Sequence, residues 1–394
     1  MRGRRASLVA VACAVAAASS ACATSPNGGT AAPTGTPLSW GLASSPAVPA
    51  GVSYVSLAGV VCPTSTGCWA VGVAQTTATS GEALIKQLTG AGWSIVATPT
   101  PAGVPYSTFE GVSCAGSGIC WAVGYSTDAA GDASTLIEEE AGAGWTLVAS
   151  PTQPAGEDAF LNGVACAGDD CWAAGSVHAS GGESGTLIEQ DTGSGWSIVP
   201  TPLAPSGVTS ELDAVSCAGA GDCWASGDLV DSSGAIQVLI EQDAGGGWNV
   251  VPSPSAPDDQ PSSLGALSCV SVRDCWAVGE FDDPGGTSHA LLEHDGGSGW
   301  SIVAAPAGSG AGQLLSGVTC VAADDCWAVG RTVQANGHGA ALIERFGGAG
   351  WSAVASPPGP ASTSTQLSAV ACASATECWA VGAGSGPALI EQGR

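Results

Sequence analysis

Positive charge is scarce in this chain. Of 394 residues only 8 are Lys or Arg, against 34 Asp or Glu, and the formal net charge is −26. Arg2, Arg4 and Arg5 stand at the very start, which leaves Lys86, Arg273, Arg331, Arg345 and Arg394 for everything that follows. Neutralising phosphate takes clustered Lys or Arg, so nucleic-acid binding is excluded, and adhesion to anionic lipid through a basic patch fails for the same reason. Long apolar runs are missing too. The run at residues 8–18 is too short to span a bilayer as an ordinary helix. Beyond it, apolar runs are four to six residues long and bounded by Gly, Pro, Ser or Asp. Helices would need ten or more, so these are strand signals.

What the chain does have is repetition. Cys-Trp-Ala, then Val, Ala or Ser, then Gly, begins at Cys68, Cys120, Cys171, Cys223, Cys275, Cys326 and Cys378, at intervals of 51 or 52 residues. A period of this size marks a repeat architecture. Each unit carries four apolar runs, here named strands a to d. In repeat three they fall at residues 161–166, 171–175, 186–190 and 195–199. Four strands per unit is the blade of a β-propeller, which packs small sheets radially and so avoids long exposed edges. The last repeat stops after its strand c, and Leu38-Ser39-Trp40-Gly41, with its Pro46 exit, reads like the strand d of other repeats. The expected fold is therefore all-β: a seven-bladed propeller of four-stranded antiparallel blades over residues 38–394, closed by an N-terminal strand that completes the last blade. A monomer is expected.

Fourteen tryptophans fall in two sets of seven, at the start of strand b and the start of strand d. A residue present in every blade beside the same turn is read as packing between blades, since Trp buries a large area and its N–H needs one partner. A sugar stacked in each blade is the alternative. The recurrent Glu of Leu-Ile-Glu, at Glu138, Glu189, Glu241, Glu344 and Glu391, with Glu293 equivalent and Lys86 in the first copy, is likewise read as scaffold.

Fourteen cysteines form pairs bracketing the a–b turn: Cys62/Cys68, Cys114/Cys120, Cys166/Cys171, Cys217/Cys223, Cys269/Cys275, Cys320/Cys326 and Cys372/Cys378. Hairpin geometry brings such side chains together, so seven disulfides are expected, each worth about 2 kcal/mol by loop entropy. Zinc would need four ligands per site, and pairs in adjacent blades lie too far apart to share one; no metal site is assigned to them. Disulfides call for an oxidising compartment. The arginines and residues 8–18 supply the route, reading as a signal peptide at residues 1–21. Arg4-Arg5 could be a twin-arginine signal, although Ser7 stands where a large apolar residue is usual. Ser19-Ser20-Ala21-Cys22 resembles a bacterial lipobox, with Ser19 in place of the usual Leu. Lipidation is expected at Cys22, which otherwise has no partner, with residues 22–37 as a Thr/Gly/Pro/Ala tether. The localisation expected is a bacterial cell-surface lipoprotein, with free secretion after ordinary cleavage as the alternative.

Between strands c and d, Asp191, Asp243 and Asp295 begin Asp-x-Gly-x-x-Trp, with Glu140 in the second repeat. This resembles the Asp-box turn of sialidase-like, BNR-type secreted propellers, where it also joins the third and fourth strands and lies away from the active face. The whole repeat is also similar to a family of exported bacterial propellers with paired cysteines. The resemblance implies the fold and no activity. Sialidases hold a carboxylate with three converging arginines, and here only Arg331 begins a b–c loop, so that triad cannot be assembled. His178, His289 and His338 fall in b–c segments of three different repeats without partners at metal-ligand spacing.

Function is sought where blades differ, because packing fixes the scaffold and leaves loops free. The b–c and d–a loops share one face and hold Asp128 and Asp132, Asp228 and Asp231, Asp258 and Asp259, and Asp282 and Asp283. Clustered carboxylates can ligate calcium, the one cofactor considered; solvated acidic loops are the plainer reading. The expected function is a non-catalytic exported propeller that binds an extracellular protein or glycan through this face. The alternative is a propeller glycoside hydrolase or lyase acting on extracellular polysaccharide, for which two carboxylates about 5 to 9 Å apart in a central pocket would be diagnostic.

Overall fold

The computed structural model describes residues 38–394 apart from 49, 78, 100, 102, 152–155, 180, 181, 183, 203–206, 255, 309, 310, 359–363 and 385–387, and apart from the side chain of residue 258. The signal segment, the tether and Cys22 lie outside the described residues.

Among the described residues the chain is all-β save for one 3-10 turn, Pro257–Asp259. β1 (Trp40–Leu42) comes first. Repeat one holds β2 (Tyr54–Thr64), β3 (Gly67–Thr77), β4 (Ser80–Thr89) and β5 (Gly92–Val96), and repeat two β6 (Tyr106–Cys114), β7 (Cys120–Thr127), β8 (Ala133–Glu140) and β9 (Trp145–Val148). Repeat three follows with β10 (Glu157–Ala167), β11 (Asp170–Ala179), β12 (Ser184–Asp191) and β13 (Ser197–Val199). Repeat four has β14 (Thr209–Gly219), β15 (Asp222–Val230), β16 (Ile236–Asp243) and β17 (Trp248–Val250), and repeat five β18 (Ser262–Ser271), β19 (Asp274–Asp282), β20 (Ser288–Asp295) and β21 (Trp300–Ile302). Repeat six has β22 (Gly312–Ala322), β23 (Asp325–Val333), β24 (Gly339–Phe346) and β25 (Trp351–Val354), and repeat seven β26 (Gln366–Ser374), β27 (Glu377–Ala383) and β28 (Leu389–Gly393).

In repeats one to six the four strands pair antiparallel in chain order. Repeat seven takes its fourth strand from the other end of the domain: β1 pairs with β28, Trp40 opposite Gly393 and Leu42 opposite Glu391. Each first strand packs beside the first strand of the next repeat, and β26 packs beside both β22 and β2. Repeated four-stranded antiparallel sheets packed in this way are the architecture of a β-propeller. Strands a to c run longer than the apolar runs of the sequence, because their polar ends continue the hydrogen-bond ladder past the buried stretch.

The core lies between sheets. Each apolar cluster draws on two successive repeats, and one joins Trp93 and Leu57 of the first repeat to Trp379 and Ile390 of the last. Strand d tryptophans stand edge-on to strand b tryptophans of the preceding repeat, as in Trp145 on Trp69 and Trp196 on Trp121, with ring centroids 5.2 and 5.3 Å apart. Trp40 meets Trp327 at 5.5 Å and Trp93 meets Trp379 at 5.4 Å. An edge-on pair adds about 0.5–1.5 kcal/mol to the burial of the rings. The indole N–H groups do not find the partner expected of them: most, including those of Trp172 and Trp327, are buried without an acceptor among the described residues. Ring burial therefore outweighs a lost hydrogen bond at these positions.

The Leu-Ile-Glu carboxylates supply a polar link across the same seams. Thr98 donates to Glu138, Ser150 to Glu189, Ser253 to Glu293 and Ser356 to Glu391, each hydroxyl reaching from strand d of one repeat into strand c of the next. Burial pushes these four glutamates, together with Glu241 and Glu344, up to about 7. Lys86, which replaces the first Glu, donates to Ser45 at 2.8 Å, and burial lowers it to about 8.

All seven cysteine pairs are joined across the a–b hairpins, with Cα atoms 4.0–4.1 Å apart. With antiparallel pairing, these disulfide hairpins and the c–d turns share one end of the sheets, while the b–c turns and d–a loops share the other. Among the described residues no helix is long and apolar enough to cross a membrane.

Candidate functional site

Each first strand carries a β-bulge at the same place. The register of β2 on β3 skips Ala58, that of β6 on β7 skips Glu110, and that of β10 on β11 skips Asn162. Asp213, Gly265, Ser316 and Ser368 are skipped in the same way in repeats four to seven. The cause is the glycine ending Cys-Trp-Ala-Val-Gly. A Cβ on Gly227 would overlap the carbonyl oxygen of Glu211, and one on Gly124 that of Thr108. Because the glycine lets the first strand press in, the extra residue is re-aimed. All seven skipped residues line one cavity of about 510 Å³.

The lining differs from repeat to repeat, and Glu110, Asp213 and Glu280, from repeats two, four and five, make it acidic. Glu211 lies opposite Asp228 in the β14–β15 ladder, and Asp213 is the bulged residue two positions on. Carboxylate oxygens of the three lie within 4.8 Å of one another, which makes this the one three-residue group among the described residues able to hold a metal ion. Burial, then the charges of Glu211 and Asp228, pushes Asp213 up to about 7. Asp228 is raised to about 6 by burial and by Glu211. Across the cavity, burial raises Glu110 above the usual carboxylate range, against a hydrogen bond from Thr108.

Beside the acids runs an aromatic strip. Tyr106 lies 6.0 Å from Tyr125, Tyr125 4.9 Å from Phe160, and Phe160 5.1 Å from His178 by ring centroids. Tyr125 stands opposite Thr108, and Phe160 two residues before the bulged Asn162, so the strip crosses repeats two and three at the cavity's loop-side rim. These rings are half-buried and His178 is exposed.

The loop carboxylates mostly serve their own turns. Asp128 Oδ1 accepts from the backbone N–H groups of Ala130, Gly131 and Asp132, which puts Asp132 in the turn as a backbone donor. Asp231 accepts from Ser233 and Ala235, and Asp283 from Gly285, Thr287 and His289. Asp282 accepts from Ser288 Oγ at 2.8 Å, and Asp259 is exposed at the end of its 3-10 turn with φ 51°. The Asp258 side chain lies outside the described residues. Of the acids expected on this face, Asp228 alone joins the three-carboxylate group, with Glu211 and Asp213 as companions that sequence reading missed. The signal was present: each bulged residue is the variable position in Leu/Phe-x-Gly/Ala-Val/Leu, four residues before the first cysteine of its repeat.

On the opposite end, Asp191 accepts from Gly193 and Gly195, Asp295 from Gly297 and Gly299, and Glu140 from Gly142 and Gly144. These c–d carboxylates close turns and stand away from the cavity mouth.

No protein-family model matches the chain, and no curated protein does. Among solved structures it is similar to YCF48 bound to D1 peptide, at 13% identity over 92% of this chain and 98% of that one, with a TM-score of 0.48. It is also similar to a Trypanosoma rangeli sialidase, at 10% identity over 87% of this chain and 55% of the sialidase, TM-score 0.46. A third similar structure is the fucose-recognising lectin of Aleuria aurantia, at 10% identity over 79% of this chain and 99% of the lectin, TM-score 0.45.

Proposed function

We propose that the repeats form seven blades closed into a ring around the cavity, and that the protein is a non-catalytic exported module binding a protein or glycan at the cavity's loop-side mouth. Closure is supported by the pairing of β1 with β28 and by Trp93 packing on Trp379. The observation that carries the functional reading is the contrast within one strand. Leu57, Phe109, Leu161 and their counterparts repeat as core, while the bulged positions between them run Ala, Glu, Asn, Asp, Gly, Ser and Ser. Packing does not ask for that variety, and a mouth where acids of repeats two, four and five adjoin aromatic faces of repeats two and three fits recognition of a particular ligand. The test is a glycan-array and pull-down screen with disulfide-intact protein, repeated with Asp213→Asn/Glu211→Gln and Tyr125→Ala/Phe160→Ala. Captured ligand should be lost from both variants. Equal capture by both would move binding off this mouth.

A polysaccharide-degrading enzyme is the second reading, favoured by the raised Asp213 in the cavity, a protonated carboxyl near neutral pH. Within the group of Glu211, Asp213 and Asp228 the carboxylate oxygens lie within 4.8 Å of one another, tighter than the roughly 5–9 Å that leaves room for a scissile bond, so that group by itself does not supply the catalytic pair. Release of reducing ends or unsaturated sugars from a polysaccharide panel, abolished by Asp213→Asn, would establish it. The calcium expectation moves with the carboxylates, from the loops to Glu211, Asp213 and Asp228. Export is supported by the seven disulfides. We also propose lipidation of Cys22; Cys22→Ala should shift the protein from the membrane fraction to the medium, and wild-type protein recovered wholly soluble would refute it.

A further inference from the structure

We propose that Arg331 and the hydroxyl groups around it form a carboxylate-binding pocket on the loop face, so that the ligand taken there carries a carboxylate. This deepens the reading of that face as a binding surface and rests on it.

Arg331 lies in β23 opposite Leu314, which lines the axial cavity. With Tyr54, Gly339, Ser364, Thr365 and Gln366 it lines a separate cavity of about 170 Å³, and Gln366 is shared by the two, so one opens beside the other. The side chain has no acceptor among the described residues, and its Nε is shut off from solvent. Arg345 shows how a scaffold arginine is handled here: its Nε donates to Asp325 at 3.1 Å and its guanidinium lies over Trp327. Arg273 is exposed and solvated. In a chain with 34 carboxylates and 8 basic side chains, a half-buried guanidinium with no carboxylate lining its pocket is a specific arrangement. The fold does not demand it. Val73, Tyr125, Asp228, Glu280 and Ala383 occupy the equivalent strand position in other repeats.

The neighbours add donors. Thr365 Oγ1 accepts the Ala341 N–H at 3.2 Å, which leaves its own O–H to donate. Ser364 Oγ accepts from Gly339 at 3.1 Å and lies 3.4 Å from His338 Nδ1. Tyr54 brings a phenol. A fork of guanidinium donors flanked by hydroxyls, with no hydrogen bond made to it among the described residues and no carboxylate in the lining, fits the two oxygens of a carboxylate. The strongly negative chain selects a singly charged anion over a dianion such as sulfate.

The test follows the arginine Nε–Hε resonances of the intact protein, assigned through Arg331→Lys, during titration with D-glucuronate, D-glucose and sulfate. Glucuronate should shift the Arg331 signal saturably, glucose should not, and sulfate should bind more weakly. Arg331→Lys should weaken glucuronate about tenfold and Arg331→Gln abolish its effect on the Tyr54 and Thr365 amides. Arg331→Gln should leave the melting temperature equal or higher, because it removes an unpaired buried donor. A structural arginine would instead lower it, which would overturn the proposal. So would no saturable shift up to about 50 mM glucuronate, or equal shifts with glucuronate, sulfate and chloride, which would mark an adventitious ion only. Saturable glucuronate binding together with undiminished protein or glycan capture by Arg331→Gln would keep the pocket and place the macromolecular ligand elsewhere.

Discussion

Ala305→Ser should stabilise this protein, and more so at pH 8 than at pH 5. Strand d leaves its sheet through a Ser/Thr-Pro pair at Thr98, Ser150, Thr201, Ser253, Ser356 and Ser45, and repeat five alone has Ala305 before its proline. The glutamate that its hydroxyl would meet is Glu344, fully buried, and neither carboxylate oxygen has a partner among the described residues. Register supports the equivalence. Ala305 follows Val303, whose N–H donates to Leu292, by two residues; Ser356 follows Val354, paired with Ile343, by two residues and donates to Glu391 at 3.0 Å. Burial alone holds Glu344 up at about 7, so at pH 8 it is ionised and unsupported. A hydroxyl donated to an ionised carboxylate is worth about 1.5–3 kcal/mol, and one to a neutral carboxyl about 0.5–1.5. For a domain of this size that corresponds to a rise in melting temperature of about 2–4 °C at pH 8 and roughly half that at pH 5. Scanning calorimetry at both pH values measures it, with Ser356→Ala as the mirror control that should lose a similar amount. Ala305→Ser without gain at pH 8, alongside a clear loss in Ser356→Ala, would show that Glu344 is not reached from residue 305.

Three further outcomes follow from the same seams. Each of the six buried glutamates is raised from 4.5 to about 7, so the folded state keeps protons that the unfolded chain has released; their contribution is full below about pH 4.5 and is lost as pH rises through about 7. The melting temperature should therefore fall between pH 5 and pH 8, and a monotonic rise over that range would contradict the burial argument. Gly227→Ala forces a methyl into the Glu211 carbonyl and should cost about 3 kcal/mol, read as a lowered urea midpoint; unchanged stability would mean that the bulge does not need the glycine. Deleting residues 38–46 removes buried Leu38, worth about 2–5 kcal/mol, and the Trp40–Trp327 contact, worth about 0.5–1.5 kcal/mol beyond ring burial, and exposes the edge of β28. An unaltered melting temperature in that truncation would remove the role given to β1.

The elements that could be read from the sequence are those that packing imposes in every repeat. Cysteine pairs and tryptophans at strands b and d recur because each repeat builds the same hairpin and meets its neighbour through the same surface, so sevenfold recurrence was itself the signal. The cavity lining escaped for the opposite reason. A one-residue bulge is invisible to a period-two pattern, and Glu110, Asn162 and Asp213 sit inside strands that otherwise look like uniform core. For the loop aspartates, composition does not distinguish a ligand from a turn. Asp128-x-x-Gly131, Asp231-x-x-Gly234 and Asp283-x-x-Gly286 are local turn signatures, each carboxylate already accepting backbone N–H groups.

The exceptions to the repeat say most about what the repeat is for. Where Lys86 replaces the buried glutamate, the facing residue is still a hydroxyl, Ser45, because a hydroxyl can accept from an ammonium as well as donate to a carboxylate. The seam therefore tolerates either charge provided that the Ser/Thr remains, and a missing hydroxyl at Ala305 leaves a charge unmet where a reversed charge at Lys86 does not. Arg331 fits neither pattern. It lines a cavity with residues of repeats one and seven and has no hydrogen-bond partner among the described residues. By the logic that makes the glutamates scaffold, a side chain the scaffold neither requires nor satisfies is one to be answered from outside the chain.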